Sequence, residues 1–273
     1  MTPVDFDWAA LGVNFMVSVV AVAAVLVATF AVAMRVGRHS VIDVAWGIGF
    51  AVVALATALL SIGQGDAART WLVCALTVVW GLRLALHIGR RSAGKGEDPR
   101  YARLLSKAPG NRTAYAVRSI YLLQGAILLA ISMPVQVAGY SQRPLGLLAL
   151  VGVTVWAIGL LFEAVGDAQL ARFKADPRNK GAIMDRGLWS WTRHPNYFGD
   201  ACVWWGIFLV AAEAWPGVLT IYAPVVMTLL LTKGSGQRIL EAHMRDRPGW
   251  ADYARRTSGF FPLPPKKAGT ARR

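Results

Sequence analysis

The chain has 273 residues, of which 55% are hydrophobic and 16% charged, a balance too apolar for an ordinary soluble domain. Its formal charge of +14 would suggest nucleic acid as a partner if the cations formed one face, but the Lys and Arg residues sit between long apolar runs, which argues against that partner. The two cysteines, Cys74 and Cys202, each lie inside an apolar stretch with no partner at metal-ligand spacing, so neither a disulfide framework nor a metal site is expected.

From the N-terminus, MTPVDFDWAALG carries acids where a signal peptide carries cations, and the first apolar run has no small-residue cleavage site, so a retained helix is expected. Apolar runs then follow at 10–34, 41–61, 70–89, 119–138, 144–165, 199–213 and 216–232. Most approach the ~20 residues that a bilayer demands. The pattern predicts an all-α polytopic membrane protein of seven transmembrane helices, the last two joined as a hairpin through Ala214, Trp215, Pro216 and Gly217. No internal repeat is found, and low complexity is confined to the KKAGTARR tail, so 1–273 reads as a single membrane domain.

Basic residues fix the expected orientation. Arg35 and Arg38 follow the first run, eight cations lie in 90–118, six in 172–193 and ten in 233–273, which is 26 of 29. Only Arg69 and Arg143 fall in the alternate loops, and Arg83 lies within a run. The positive-inside rule then places the N-terminus outside and the C-terminus in the cytoplasm of a cell that keeps this chain in its inner membrane.

Three polar groups are candidates for chemistry. The first centres on an expected cytoplasmic loop at 166–198. Glu163 and Asp167, one helical turn apart, would repel unless paired, and Arg172 and Lys174 are near enough in sequence to pair them. They read either as an interfacial ion-pair cluster or as carboxylates that orient the hydroxyls or amide of a cofactor. Arg193, His194, Pro195, Asn196 and Tyr197 then place a cation, an imidazole, a stiffening proline, an amide and a phenol in five consecutive positions, a concentration that favours ligand binding. Asp200 suits the start of the following helix, either as a cap or as a site residue.

The second group comprises Asp43, Trp46, Arg83, His87, Lys95, Glu97, Asp98, Arg100 and Tyr101. Ionisable groups inside a membrane are functional candidates by default, although Asp43 and Arg83 could simply neutralise each other, and His87 could snorkel to headgroups. The third is the cytoplasmic tail 233–273, with Arg238, Glu241, His243, Arg245, Trp250, Tyr253, Arg255, Arg256, Thr257 and Phe260, many of which an amphipathic surface helix would also explain. No P-loop, GxSxG, HExxH or GxGxxG pattern is present, so a bound nucleotide must be held by bundle and loop side chains.

RGLWSWTRHPNYFGD, the WWG that follows it and the YARRTSGFFPLPP tail resemble the membrane steroid 5α-reductase-like proteins, in particular their bacterial branch long catalogued as an uncharacterised domain. SVIDVAWGIGF, WGLRLALHIGRR and GEDPRY extend the resemblance over roughly 35–265 in the same order. It implies a seven-helix bundle in which cytoplasmic loops grip NADPH and a carbon–carbon double bond conjugated to a ketone is reduced. By position it implies that Glu163, Asp167 and Lys174 lie along the cofactor, that Asn196 meets the nicotinamide end, and that Gly199 and Asp200 close the loop behind it. Tyr253 would lie over the nucleotide, and Arg83, Arg100, Arg193 and Arg256 would serve its phosphates, because guanidinium forks suit bidentate phosphate contact. His194 and Tyr197 complete the cofactor-binding set. For catalysis the resemblance calls for a Glu and a Tyr on the second and third helices. Asp43 stands where the Glu is expected, whereas Trp80 falls near the Tyr position and can donate a hydrogen bond but no proton, which leaves Tyr101 as the acid.

The same RHPxY pattern occurs in membrane methyltransferases of the isoprenylcysteine carboxyl type, where S-adenosylmethionine replaces NADPH. A non-enzymatic transporter or lipid-binding protein is the third reading, and the scarcity of charges at helix centres argues against it. In every reading the partners are membrane lipids and a lipid or steroid-like small molecule.

Overall fold

A computed structural model of the protein describes residues 6–234 and 236–266. The last seven residues of the KKAGTARR tail lie outside the described residues. Helices α1 (Trp8–Val36), α2 (Ile42–Leu60), α3 (Ala67–Ser92), α4 (Pro99–Leu105), α5 (Arg112–Ala116), α6 (Leu123–Ile131), α7 (Met133–Gly139), α8 (Leu147–Ala175), α9 (Leu188–Trp191), α10 (Pro195–Ala212), α11 (Tyr222–Thr232), α12 (Gln237–Met244) and α13 (Trp250–Arg256) account for most of it. No strand occurs among the described residues; one isolated parallel bridge joins Thr192 and Ser258.

Six segments are long and apolar enough to cross a membrane: Trp8–Val36, His39–Leu60, Ala67–Ser92, Arg112–Ile131, Leu147–Ala175 and Gly217–Met244. The chain is therefore an all-helical, multi-pass membrane protein. The remaining expected span begins earlier than its apolar run, at Pro195, because a proline at the first helical position loses no hydrogen bond and carries Asn196, Tyr197 and Asp200 into the helix. Those polar residues make α10 less apolar than the six.

Local chemistry explains other departures from the apolar runs. The run at 119–138 breaks at Ser132, where Pro134 cannot donate to the preceding turn and starts α7. Its first residues also lie in a π-turn, Val117–Leu122, that joins α5 to α6. The expected loop at 166–198 is helical up to Ala175, since 166–175 holds no proline and the first stop is Asp176–Pro177. Glu163 and Asp167 thus stand on a continuous helix of 29 residues.

The chain divides into two compact units, 1–150 with 207–223 and 151–206 with 224–273. In the first, α2 and α3 cross so closely at Gly47 and Gly81 that a Cβ on either would overlap the other's carbonyl oxygen. Asn14 of α1 donates to Thr57 Oγ1 of α2 and Gln136 Oε1 of α7, both at 3.1 Å, and Gln136 donates onward to Ser132 Oγ. All four are buried. Hydrocarbon supplies no competing hydrogen bonds, so such a network sets helix rotation as well as proximity.

A charged clamp sits elsewhere in this unit. Fully buried Arg69 pairs with Glu213 at 2.9 Å and donates to the carbonyls of Arg143, Pro144 and Val210. Glu213 in turn accepts from the backbone N–H groups of Gly146, Leu148 and Ala149, so its charge caps the exposed donors that open α8.

In the second unit, α8 and α10 run antiparallel along a seven-residue glycine register. A Cβ at Gly206 would lie 2.5 Å from the Gly152 carbonyl oxygen, and one at Gly199 would lie 2.5 Å from that of Gly159 and 2.6 Å from the Glu163 backbone nitrogen. One turn on, Gly166 faces Pro195. The absence of side chains on this seam is what lets Glu163 and Asp167 approach the start of α10.

Candidate functional site

Each unit carries a polar cluster of its own. In the first, Asp43 occupies the opening turn of α2 and meets two side chains from α4. Arg100 Nη2 donates to Asp43 Oδ2 at 2.9 Å, and Tyr101 OH donates to Asp43 Oδ1 in a short hydrogen bond. Gln124 Nε2 donates to the Tyr101 oxygen at 3.1 Å, so the phenol's proton is directed at the carboxylate.

Local sequence explains why α4 reaches this place. Asp98 caps the helix by accepting from Arg100 N at 2.8 Å, with Pro99 behind it, and also holds the Arg100 guanidinium at 3.0 Å. Glu97 accepts from Ser40 N at 2.9 Å and from His39 N, while Arg38 donates to the carbonyls of Ser92 and Lys95, so the connection after α3 is strapped to the start of α2.

Burial, then the Asp43 charge and hydrogen bond, raise the Tyr101 pKa above the ordinary tyrosine range. A raised pKa favours the protonated phenol in the fold, so its stabilisation is complete below about pH 10 and declines as pH rises beyond it. The melting-temperature gap between wild type and Tyr101→Phe should therefore be constant from pH 6 to 9 and narrow above pH 10. A gap that widens with alkalinity would overturn this environment for Tyr101. The Asp98 carboxyl is held below its ordinary range by the Arg100 hydrogen bonds and charge, which outweigh its partial burial.

Beside this cluster, Val22, Leu26, Trp46, Gly49 and Leu128 line a narrow apolar cleft together with Gln124. One amide thus touches both an apolar lining and the Tyr101 phenol. Trp80 is fully buried with its ring edge-on to Phe50 at 5.6 Å, a core position, and it is Tyr101 that the fold brings to Asp43. Arg83 and His87 lie on α3, both partly buried.

The cluster of the second unit is built on α8. Glu163 and Asp167 are 3% and 6% exposed, while Lys174, on the same face two turns beyond Asp167, is exposed. Asn196 Nδ2 lies 3.4 Å from Asp167 Oδ1, and Asn196 Oδ1 accepts from Tyr197 N. The α9 turn is fixed to α8 by Trp189 Nε1, which donates to the Gly166 carbonyl at 2.9 Å, and by Leu188 N, which donates to Gln169 Oε1. Asp200 follows in the second turn of α10, partly buried.

Several residues singled out for a cofactor are engaged in holding the tail. Arg193 donates to Glu241 at 2.9 Å and to the carbonyls of Ala254 and Thr257, and His194 Nε2 lies 3.0 Å from the same Glu241 oxygen. The His194 ring stacks on Tyr197, with centroids 5.3 Å apart. Tyr253 is buried and donates to the Trp189 carbonyl at 2.7 Å, and burial raises its pKa. Arg256 pairs with Asp185. Arg193 N to Ser258 O and Leu263 N to Trp191 O extend the strap. Glu241, which ties this knot, stands 48 residues from Arg193, and only its place in a cation-rich tail hinted at a role.

No group of His, Cys, Asp and Glu among the described residues is arranged to hold a metal. The buried acids and exposed Lys174 of α8, with the Asn196 amide at the start of α10, have the chemistry that a nucleoside phosphate would call for: carboxylates for ribose hydroxyls, an amide for a carboxamide, a cation for phosphate.

A family model described as a protein of unknown function, DUF1295, matches residues 29–257. The chain belongs to the DUF1295 family. The match takes in both the Asp43–Tyr101 cluster and the Glu163–Asn196 cluster, as well as the α12 and α13 strap of this DUF1295 protein. No curated protein and no solved structure matches the chain.

Proposed function

We propose that this DUF1295 protein is an NADPH-dependent membrane reductase, of the steroid 5α-reductase-like kind, acting on a lipid in which a carbon–carbon double bond is conjugated to a carbonyl. In this reading α10 is a seventh span, the N-terminus lies outside and the C-terminus is in the cytoplasm, at a cell's inner membrane; the 26 cations in one set of loops support that orientation.

The observation that carries the reading is the Tyr101 phenol, kept protonated and aimed by Asp43 and Gln124. The chemistry that NADPH would supply, when bound, is a hydride for the β carbon of the substrate. The electron pair of the double bond then moves toward the carbonyl oxygen, and an acid must meet the negative charge that develops there. Tyr101 would deliver that proton by turning its O–H from the Asp43 carboxylate to the carbonyl oxygen, leaving a tyrosinate that keeps the Gln124 hydrogen bond and takes its next proton from water, while Asp43, with Arg100 beside it, holds the phenol in place between turnovers. Transfer of a methyl group to a carboxylate needs no such acid, which favours reduction over the S-adenosylmethionine reading.

Glu163 and Asp167 would hold ribose hydroxyls, Asn196 the carboxamide and Lys174 a phosphate. Arg193, His194, Tyr253 and Arg256 act one step back, by holding the tail against α9 and the start of α10. What favours the methyltransferase is the same buried acid pair, which suits a sulfonium and an amino group as well as it suits hydroxyls.

Ligand-dependent thermal stabilisation of the detergent-purified protein tests the choice. A ligand at a hundredfold excess over its Kd contributes about 2.7 kcal/mol, a shift of several degrees. NADPH and NADP⁺ should give that shift, S-adenosylmethionine and S-adenosylhomocysteine should not, and Asp167→Ala or Asn196→Ala should remove it while the unliganded protein stays folded. A shift with the adenosyl pair alone would replace the reductase reading with the methyltransferase, and an undiminished NADPH shift in both variants would remove the site assignment.

A further inference from the structure

A third feature of the molecule takes no part in the proposed reaction. Where α11 ends, Thr232, Lys233, Gln237, Arg238, Glu241 and Arg245 line an open groove. Arg238 and Arg245 are seven residues apart, two turns along the same side of α12 and its exit, and Lys233 faces them from the end of α11. All three cations are exposed, and among the described residues none has a carboxylate partner within 4.0 Å. The one acid in the groove, Glu241, has its charge engaged by Arg193 and His194, and Gln237 donates to the same oxygen at 3.0 Å. The groove is therefore positively charged, with the second N–H of the Gln237 amide as a further donor, a set suited to a phosphate group.

Its position narrows the source of that phosphate. The groove interrupts the segment Gly217–Met244, which is long and apolar enough to cross a membrane, at the point where α11 gives way to polar residues. With the apolar part of that segment in the bilayer, the point where it turns polar falls at the level of lipid headgroups. Apolar side chains flank it on both helices: Leu229 is 45% exposed on α11 and Leu240 44% exposed on α12, surfaces that acyl chains would cover.

We propose that this groove is a binding site for the headgroup phosphate of an anionic membrane phospholipid. Lys233, Arg238 and Arg245 neutralise the phosphate, and Leu229 and Leu240 receive the acyl chains. A lipid bound there also fixes α12, the helix from which Glu241 reaches Arg193, so it would steady the strap from the membrane side. The site needs no nucleotide, and its test is independent of the reductase reading.

Native mass spectrometry of the full chain, titrated in detergent with phosphatidylglycerol or phosphatidylcholine, is the experiment. One phosphatidylglycerol should be retained in preference to phosphatidylcholine, and Arg238→Gln/Arg245→Gln should weaken it tenfold or more. The control Lys180→Gln/Arg186→Gln, which removes two exposed cations elsewhere in the same unit, should change it less than twofold. Lys233→Glu, a charge reversal at an exposed position, should reproduce the loss in a protein with unchanged melting temperature. Equal weakening in the control would mean diffuse attraction and overturn the site. So would the absence of a headgroup preference. Displacement of the lipid by millimolar inorganic phosphate or by NADPH would assign the groove to a soluble phosphate instead.

Discussion

Glu213→Ala should lower stability by about 3–5 kcal/mol, the usual consequence of removing one partner from a buried ion pair. Two losses add. The Arg69 guanidinium, with no exposed surface, would keep its three carbonyl acceptors but lose the Glu213 counter-charge at 2.9 Å. The backbone donors of Gly146, Leu148 and Ala149 would lose their common acceptor at the start of α8. Glu213→Gln keeps an acceptor and should cost less, while Arg69→Met/Glu213→Leu removes both charges and should recover part of the loss. Thermal melts of the four proteins in one detergent measure this; a Glu213→Ala protein that melts within 2 °C of wild type, by an order-of-magnitude conversion of these energies, would show that the pair contributes little.

Gly199→Ala is the second large effect. A methyl group there would sit 2.5 Å from the Gly159 carbonyl oxygen, 2.6 Å from the Glu163 nitrogen and 2.9 Å from the Glu163 Cβ. These are backbone atoms or atoms fixed to backbone, so relief requires α8 and α10 to separate. Overpacking of this kind costs roughly 1–3 kcal/mol or more. Separation also moves Glu163 and Asp167 away from Asn196, so the ligand-induced thermal shift should disappear even at temperatures where the variant is folded. Ala201→Gly, on the same helix but off this seam, should leave the shift intact. Retention of the full ligand shift in Gly199→Ala would break the link drawn between the glycine seam and the site.

Asp43 and Tyr101 were named separately, through what the family resemblance implies for catalysis, and their contact across 58 residues carried no sequence signal. The Gln124 partner of Tyr101 carried no signal at all: a single glutamine in an apolar run looks like a tolerated polar residue. Arg193, Tyr253 and Arg256 were legible as important, but their partners within the chain were not. Cations and phenols near a proposed cofactor suggest ligand contact, yet these bind Glu241, the Trp189 carbonyl and Asp185. Arg69 read as a stray loop cation. A sharper signal was available there, since Arg69 and Arg143 are the two loop cations that break the charge rule and Glu213 is an acid at the end of an apolar run.

What the sequence determined by itself is what depends on nearest neighbours along the chain. The apolar runs are long because hydrocarbon tolerates no unpaired backbone, helix starts and stops follow Pro, Asp and Gly, and the cations lie where insertion leaves them. Only the tertiary structure decided which charges are neutralised and by whom. Arg69 and Glu213 are 144 residues apart and Asp43 and Tyr101 are 58 apart. A side chain's charge, acidity and availability to a ligand depend on the few ångströms around it, and in a helical bundle those neighbours come from other turns of other helices.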